Sequence, residues 1–171
     1  MRLYHGSNMP VQFPEPDKGR AKLDFGKGFY VTTNLEQAQE WAIRTAKQRK
    51  ALGHDGKATV SEYEYNDNNN LIVKQLSHYN EEWLFFVCDN RRSDYPIINH
   101  GYDVIFGHIA DDRVIETIDY FIEQLISGNA SKNLVTLTIE QLKKQTPNDQ
   151  ACFTNRKALE QLTFIKSYEV Q

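Results

Sequence analysis

Short stretches of β-branched and aromatic residues alternate along the chain with longer stretches whose apolar residues recur at helical spacing. The short stretches predict strands at residues 3–5, 29–33, 59–65, 71–74, 102–107, 151–153 and 162–170. The longer ones predict helices at residues 35–52, 81–89, 113–127, 138–145 and 156–161. Because strands and helices follow one another irregularly, the pattern predicts one mixed α+β domain spanning residues 1–171.

Composition narrows the class of protein. The chain has 171 residues, of which 40% are hydrophobic, and nine Phe and nine Tyr residues supply material for a core, so a globally disordered chain is excluded. No stretch approaches the roughly 20 consecutive apolar residues of a membrane-spanning helix, and the start of the chain does not resemble a secretory signal. The two cysteines, Cys88 and Cys152, make no disulfide framework. We therefore expect a soluble protein of the cytoplasm with no membrane partner.

Charge is unevenly distributed around a net value of −3. Residues 1–57 carry ten Lys and Arg against six acidic residues, whereas the rest carries ten against seventeen. A basic first third suits an anionic partner such as a dinucleotide or a nucleic-acid backbone. The alternative for the basic residues at 47–50 is a solvated helix face.

Several common sites are missing from the sequence. It contains no glycine-rich dinucleotide fingerprint, no phosphate-binding loop that ends in Gly-Lys-Ser/Thr, no Cys-x-x-Cys and no His-Glu-x-x-His. The five histidines are too scattered to indicate a metal site, so no metal is expected.

Two motifs near the start of the chain carry the candidate chemistry. Residues 3–7 read Leu-Tyr-His-Gly-Ser, residues 24–30 read Asp-Phe-Gly-Lys-Gly-Phe-Tyr, and Trp41 follows Tyr30 by eleven positions. In order and spacing these motifs resemble the ADP-ribosyltransferase superfamily, in the branch with a His-Tyr-Glu triad. The resemblance implies two packed antiparallel sheets with helices around a cleft for NAD, which is the substrate.

The resemblance also assigns roles to residues. It implies that His5 donates a hydrogen bond to the adenosine ribose and that the backbone of Gly6 reads the nicotinamide amide, with Tyr30 and Trp41 flanking the ring. Ser7 and Gly28 complete the two motifs at the NAD site. From its place between two glycines, we infer that Lys27 contacts the pyrophosphate as a point charge.

The third triad residue is expected on a late strand, and residues 147–153 (Pro-Asn-Asp-Gln-Ala-Cys-Phe) are the best candidate. Gln150 then stands where the best-known relatives carry glutamate, and Asp149 is the alternative if the register shifts by one residue. A neutral amide can hydrogen-bond a ribose hydroxyl but cannot stabilise positive charge as a carboxylate does. Polymer synthesis is therefore not expected. Ala38 also stands where the polymerases carry a helix serine.

Within the superfamily the chain resembles a small bacterial group whose members commonly occur beside a short partner gene, as toxin–antitoxin pairs do. The resulting hypothesis is an NAD-dependent mono-ADP-ribosyltransferase that modifies a protein or nucleic acid, used as a toxin or in defence and bound by a small antitoxin. Two alternatives stay open: an NAD glycohydrolase with water as acceptor, and a catalytically silent module that binds NAD or ADP-ribose.

Overall fold

The structure is a computed structural model that describes residues 1–67, 70–95, 98–109, 112–145 and 148–171. In these ranges the strands are β1 (Arg2–Ser7), β2 (Phe29–Val31), β3 (Thr59–Tyr65), β4 (Val73–Leu76), β5 (Val104–His108), β6 (Asp149–Phe153) and β7 (Leu162–Glu169). The helices are α1 (Leu35–Ala51), α2 (Glu81–Arg91), α3 (Asp112–Ile126), α4 (Lys132–Leu142) and α5 (Arg156–Leu159). Mixed α+β architecture is thereby confirmed. None of these helices is long and apolar enough to cross a membrane.

Several predicted elements are displaced along the chain. The strands predicted at residues 71–74 and 102–107 occupy Val73–Leu76 and Val104–His108. The helix predicted at residues 138–145 instead occupies Lys132–Leu142, because the Ser131 hydroxyl accepts a hydrogen bond from the Leu134 N–H and starts the helix there. The strand predicted at residues 151–153 begins at Asp149, two residues earlier. This earlier start brings Asp149 and Gln150 into the sheet. Residue 147 of the candidate segment lies outside the described residues.

The strands form two sheets. The first has the order β1-β3-β7 and is antiparallel throughout, and the second has the order β2-β6-β5-β4. In the second sheet β4 and β5 are parallel, so the prediction of two antiparallel sheets is wrong for this pair. The physical reason is helix α2, which lies between these strands in the chain and returns it to the starting edge, as a βαβ crossover does.

Three layers of packing hold the elements. Residues such as Leu3, Tyr63 and Phe153 fill the space between the sheets. The opposite face of the second sheet packs against α2, α3 and α4, where Trp83 and Phe121 are fully buried. Helix α1 covers the first sheet, where its small residues Ala38 and Ala42 pack against Val60.

The sheets are joined at one edge. Tyr4 of β1 and Thr32, just after β2, exchange both backbone hydrogen bonds, with N···O distances of 2.8 and 2.9 Å. This bridge places the start of the chain beside β2 and, through β2, near β6. The motif residues around His5 and Tyr30 consequently lie at one joint of the fold.

Candidate functional site

His5, Tyr30 and Gln150 lie on three neighbouring strands, β1, β2 and β6. The His5 Nδ1 atom lies 2.7 Å from the Tyr30 carbonyl oxygen. Tyr30 pairs with Cys152 across β2 and β6, and Gln150 lies two residues before Cys152. Because side chains two residues apart point to the same face of a strand, Tyr30 and Gln150 share one face of the second sheet.

His5 is a half-buried histidine whose protonation follows from its contacts. Its ring lies against Phe29 with the centroids 4.5 Å apart. A carbonyl oxygen can only accept a hydrogen bond, so Nδ1 donates to Tyr30 and carries the ring proton. Burial lowers the pKa of His5, outweighing the opposite effect of this hydrogen bond. The neutral ring presents Nε2 as an acceptor.

The Tyr30 hydroxyl is fixed by the loop that precedes its own strand. It donates to the Gly26 carbonyl oxygen at 2.7 Å and accepts from the Phe25 N–H at 3.1 Å. Gly26 has φ +80°, a conformation that favours glycine and turns the chain toward the hydroxyl. Burial, with Cys152 and Asp24 nearby, raises the pKa of Tyr30 well above its usual value. Tyr30 therefore offers a fixed neutral ring rather than a base.

Gln150 belongs to a buried chain of polar contacts. Its Nε2 atom donates to Asp24 Oδ2 at 2.9 Å, and Asp24 Oδ1 lies 2.6 Å from an Arg91 guanidinium nitrogen. Gln150 is 6% exposed and Asp24 5%. The contacts link α2, the loop before β2, and β6. Asp24 and Arg91 were not among the residues predicted for the site: Asp24 opens the second motif, but nothing in the sequence pattern pairs it with position 150.

Asp149, the alternative to Gln150, makes its contacts elsewhere. Its carboxylate accepts from the Thr32 hydroxyl at 2.8 Å and from the Thr33 N–H at 3.1 Å. Its carbonyl oxygen accepts from the Gln37 side chain at 3.0 Å. Asp149 thus ties β6 to the junction between β2 and α1, whereas Gln150 is the residue on the Tyr30 face.

Gly6 lies where β1 meets α1. A Cβ atom at this position would stand 2.1 Å from the Ala38 carbonyl oxygen and 2.8 Å from the Ala42 nitrogen, so only glycine allows this approach. Tyr4 directs both backbone groups to Thr32, on the side of β1 away from β3. By the alternation of an antiparallel ladder, the N–H and C=O of Gly6 point to the same outer side.

The remaining motif residues are dispersed around this joint. Trp41 is 41% exposed and lies one helical turn beyond Gln37, with the Arg44 guanidinium 5.5 Å from its ring centroid. Among the described residues no ring contact joins Trp41 to Tyr30. Lys27 is exposed. Ser7 pairs with Thr59 at the end of β1.

Gly28 permits a close approach between the loop and β6. A Cβ atom there would stand 2.5 Å from Cys152 Sγ and 2.7 Å from the Phe153 carbonyl oxygen. Burial raises the pKa of the Cys152 thiol to about 12, so this cysteine stays protonated beside the site. In the ranges that the structure describes, no three His, Cys, Asp or Glu side chains form a group that could hold a metal ion.

Comparison with known proteins identifies a family but no activity. A family model described as a protein of unknown function, DUF3990, matches residues 1–164. No curated protein and no solved structure gives a significant match. The match covers nearly the whole chain, and with it both N-terminal motifs and Gln150. The protein therefore belongs to the DUF3990 family, whose function is unknown.

Proposed function

We propose that this protein is a mono-ADP-ribosyltransferase that moves ADP-ribose from NAD to a macromolecular acceptor. The observation that carries the proposal is the placement of His5, Tyr30 and Gln150 on three neighbouring strands, β1, β2 and β6. Their motifs have the order and spacing that resemble the ADP-ribosyltransferase triad. The outward backbone of Gly6 lies at the same joint.

Each group has a chemical task in this proposal. The Gly6 N–H and C=O hydrogen-bond the nicotinamide amide, and the Tyr30 ring packs against the nicotinamide. Trp41 packs against the nicotinamide ring from α1, at the part of the helix where the Gln37 side chain bonds β6. The neutral His5 accepts a hydrogen bond from a hydroxyl of the adenosine ribose through Nε2. Lys27, Ser7 and Gly28 line the approach to the pyrophosphate.

The transfer exchanges one bond to the anomeric carbon for another. The bond between nicotinamide and the ribose breaks, and nicotinamide leaves with the electron pair as a neutral molecule. The ribose becomes oxocarbenium-like, and an acceptor nucleophile donates a pair to the same carbon and loses its proton to solvent. Holding the two ends of NAD in place supplies much of the rate enhancement in such a reaction.

The polar chain behind Gln150 favours single transfer. Position 150 carries an amide, and the carboxylate that this amide contacts, Asp24, is paired with Arg91 at 2.6 Å. Little negative charge therefore remains to activate a ribose hydroxyl as the next acceptor.

We also propose, on the motif resemblance, a cytoplasmic setting, a toxin or defence role and a small antitoxin partner.

Nicotinamide release tests this function. The purified protein is incubated with NAD labelled in the ADP-ribose portion, alone and with lysate protein or RNA, and both free nicotinamide and macromolecular label are measured. We expect His5→Ala, Tyr30→Ala and Gln150→Ala each to lower release about 100-fold or more. Exposed residues of the same types provide matched controls that keep wild-type rates: His54→Ala, Tyr120→Ala and Gln75→Ala.

The same assay separates the alternatives. Release of nicotinamide with free ADP-ribose and no macromolecular label identifies an NAD glycohydrolase. Binding of NAD without release, with each acceptor present, identifies a silent module, which the neutral Gln150 keeps open. Absence of both binding and release overturns the proposed use of NAD.

A further inference from the structure

The hydrogen bond between Asp24 and Gln150 fixes which way the Gln150 amide points. A carboxylate has only acceptor atoms, so the NH₂ end of the amide must face Asp24 Oδ2, 2.9 Å away. The carbonyl oxygen, Oε1, then occupies the opposite end of the amide. The chemistry of the pair sets this orientation, because reversing the amide would bring two acceptors together.

The Gln150 carbonyl oxygen retains contact with solvent. In the described part of the chain, every fully buried side-chain nitrogen or oxygen atom has a hydrogen-bond partner. Gln150 Oε1 makes no hydrogen bond within that part, so it is not fully buried. Gln150 also lies on the face of the second sheet that carries Tyr30. One acceptor atom on the Tyr30 face of the sheet is therefore not fully buried and makes no hydrogen bond to the described residues.

We propose that Asp24 is a positioning residue that holds the Gln150 amide with Oε1 open to accept a hydrogen bond from a hydroxyl of the nicotinamide ribose. The inference rests on the proposed function, and it adds a residue that the triad motif does not contain. Arg91 takes part by binding the other oxygen of Asp24 at 2.6 Å. This contact holds the carboxylate in place, with its second oxygen facing the amide.

Replacing Asp24 by asparagine should turn the Gln150 amide over. Arg91 has only donors, so it takes the Asn oxygen and leaves the Asn NH₂ group facing position 150. The Gln150 carbonyl oxygen then turns inward to accept from this group, and its NH₂ end turns toward the ribose. For Asp24→Asn we expect kcat to fall about tenfold or more, while KM for NAD changes less than about threefold, as for a contact made mainly in the transition state.

The reciprocal double variant separates positioning from general structural support. In Asp24→Asn/Gln150→Glu the Asn NH₂ group donates to the new carboxylate, so the hydrogen bond is preserved and an acceptor oxygen again faces the ribose. We expect kcat to recover at least to the wild-type value. Gln150→Glu alone sets two carboxylates side by side, which disfavours ionisation of one. Its activity should therefore appear only at higher pH than that of the double variant.

A spectroscopic measurement tests the geometry without turnover. The Gln150 side-chain NH₂ signals in a ¹⁵N spectrum are assigned by their loss in Gln150→Glu, and their exchange with solvent is compared with that of the exposed Gln75. We expect slow exchange for the Gln150 proton bonded to Asp24 and fast exchange for Gln75. If the wild type releases no nicotinamide, the proposed function fails, and this spectrum still decides whether Asp24 holds the amide.

Two results would overturn the inference. One is Gln150 exchange as fast as that of Gln75 in the wild-type protein. The other is a folded double variant that is no more active than Asp24→Asn, since a residue that only supports the fold would not be rescued by moving the carboxylate. Recovery in the double variant together with slow exchange in the wild type supports it.

Discussion

Two carboxylates, Asp24 and Asp149, each join three segments of the chain, but in different settings. Asp24 is 5% exposed and binds Arg91 of α2 and Gln150 of β6. Asp149 lies at the first position of β6 and binds the Thr32 hydroxyl and the N–H of Thr33, which is exposed. One network lies under the candidate site, and the other secures the junction between β2 and α1.

The difference shows how adjacent residues take unrelated tasks. Asp149 and Gln150 are neighbours on β6, and strand alternation sends their side chains to different surroundings. The residue with the carboxylate holds backbone and hydroxyl groups in place, and the residue with the amide faces Tyr30. Chemical type alone would have favoured the carboxylate as the site residue.

Asp24→Ala should have the largest effect on stability. It removes the partner of an Arg91 side chain that is 18% exposed and leaves the Gln150 amide unbonded. Breaking a buried pair from one side costs about 3 kcal/mol, which urea unfolding would measure as a reduced free energy of unfolding. Asp94→Ala, which removes an exposed partner of Arg92, is the control and should lower the free energy of unfolding far less. Equal losses in both variants would contradict a buried network at Asp24.

Asp149→Ala should cost about 2 kcal/mol, because two hydrogen bonds to an ionised acceptor are lost at a partly exposed position. Hydrogen exchange at the Thr33 amide should accelerate as its acceptor disappears. The conservative Asp149→Asn variant should keep most nicotinamide release, in contrast to Gln150→Ala. Loss of release in Asp149→Asn with a normal unfolding free energy would instead assign the catalytic position to Asp149.

Titration of His5 provides a third, smaller effect that involves neither carboxylate. Burial lowers the pKa of His5 from 6.5 in the folded state, so the unfolded chain binds more protons as the pH falls below that value. The free energy of unfolding should therefore decrease as the pH falls from about 6.5 toward 5.5, by at most about 1.4 kcal/mol per pH unit for one group. His5→Asn should make this dependence shallower, and the part that remains belongs to His100 and His108, whose pKa values burial also lowers. Identical slopes in the wild type and His5→Asn would show that His5 is not responsible.

The local pattern of residues predicted most of the strands and helices, but it predicted only part of the candidate site. Strands such as Thr59–Tyr65 alternate in a way that the sequence displays directly, and the motif order placed His5 and Tyr30 on neighbouring segments. The parallel pairing of β4 and β5 depends on the return path through α2, which no local pattern specifies. Asp24 and Gln150 meet only through tertiary packing, so the contact that orients the amide could not be predicted.

Gln37→Ala should have the smallest effect and tests how the Asp149 network reaches Trp41. The Gln37 side chain donates to the Asp149 carbonyl oxygen at 3.0 Å, and its own oxygen lies 3.2 Å from the Thr32 hydroxyl, whose single proton goes to the Asp149 carboxylate at 2.8 Å. Losing one neutral, partly exposed hydrogen bond should cost less than about 1 kcal/mol in urea unfolding. Trp41 lies one turn away on the same side of α1, so acrylamide should quench its fluorescence more strongly, whereas the fluorescence of the buried Trp83 should not respond.

Gln39→Ala, on the same helix, is the control. Unchanged quenching would mean that the packing of Ala38 and Ala42 on Gly6 holds this flank of α1 without the help of Asp149.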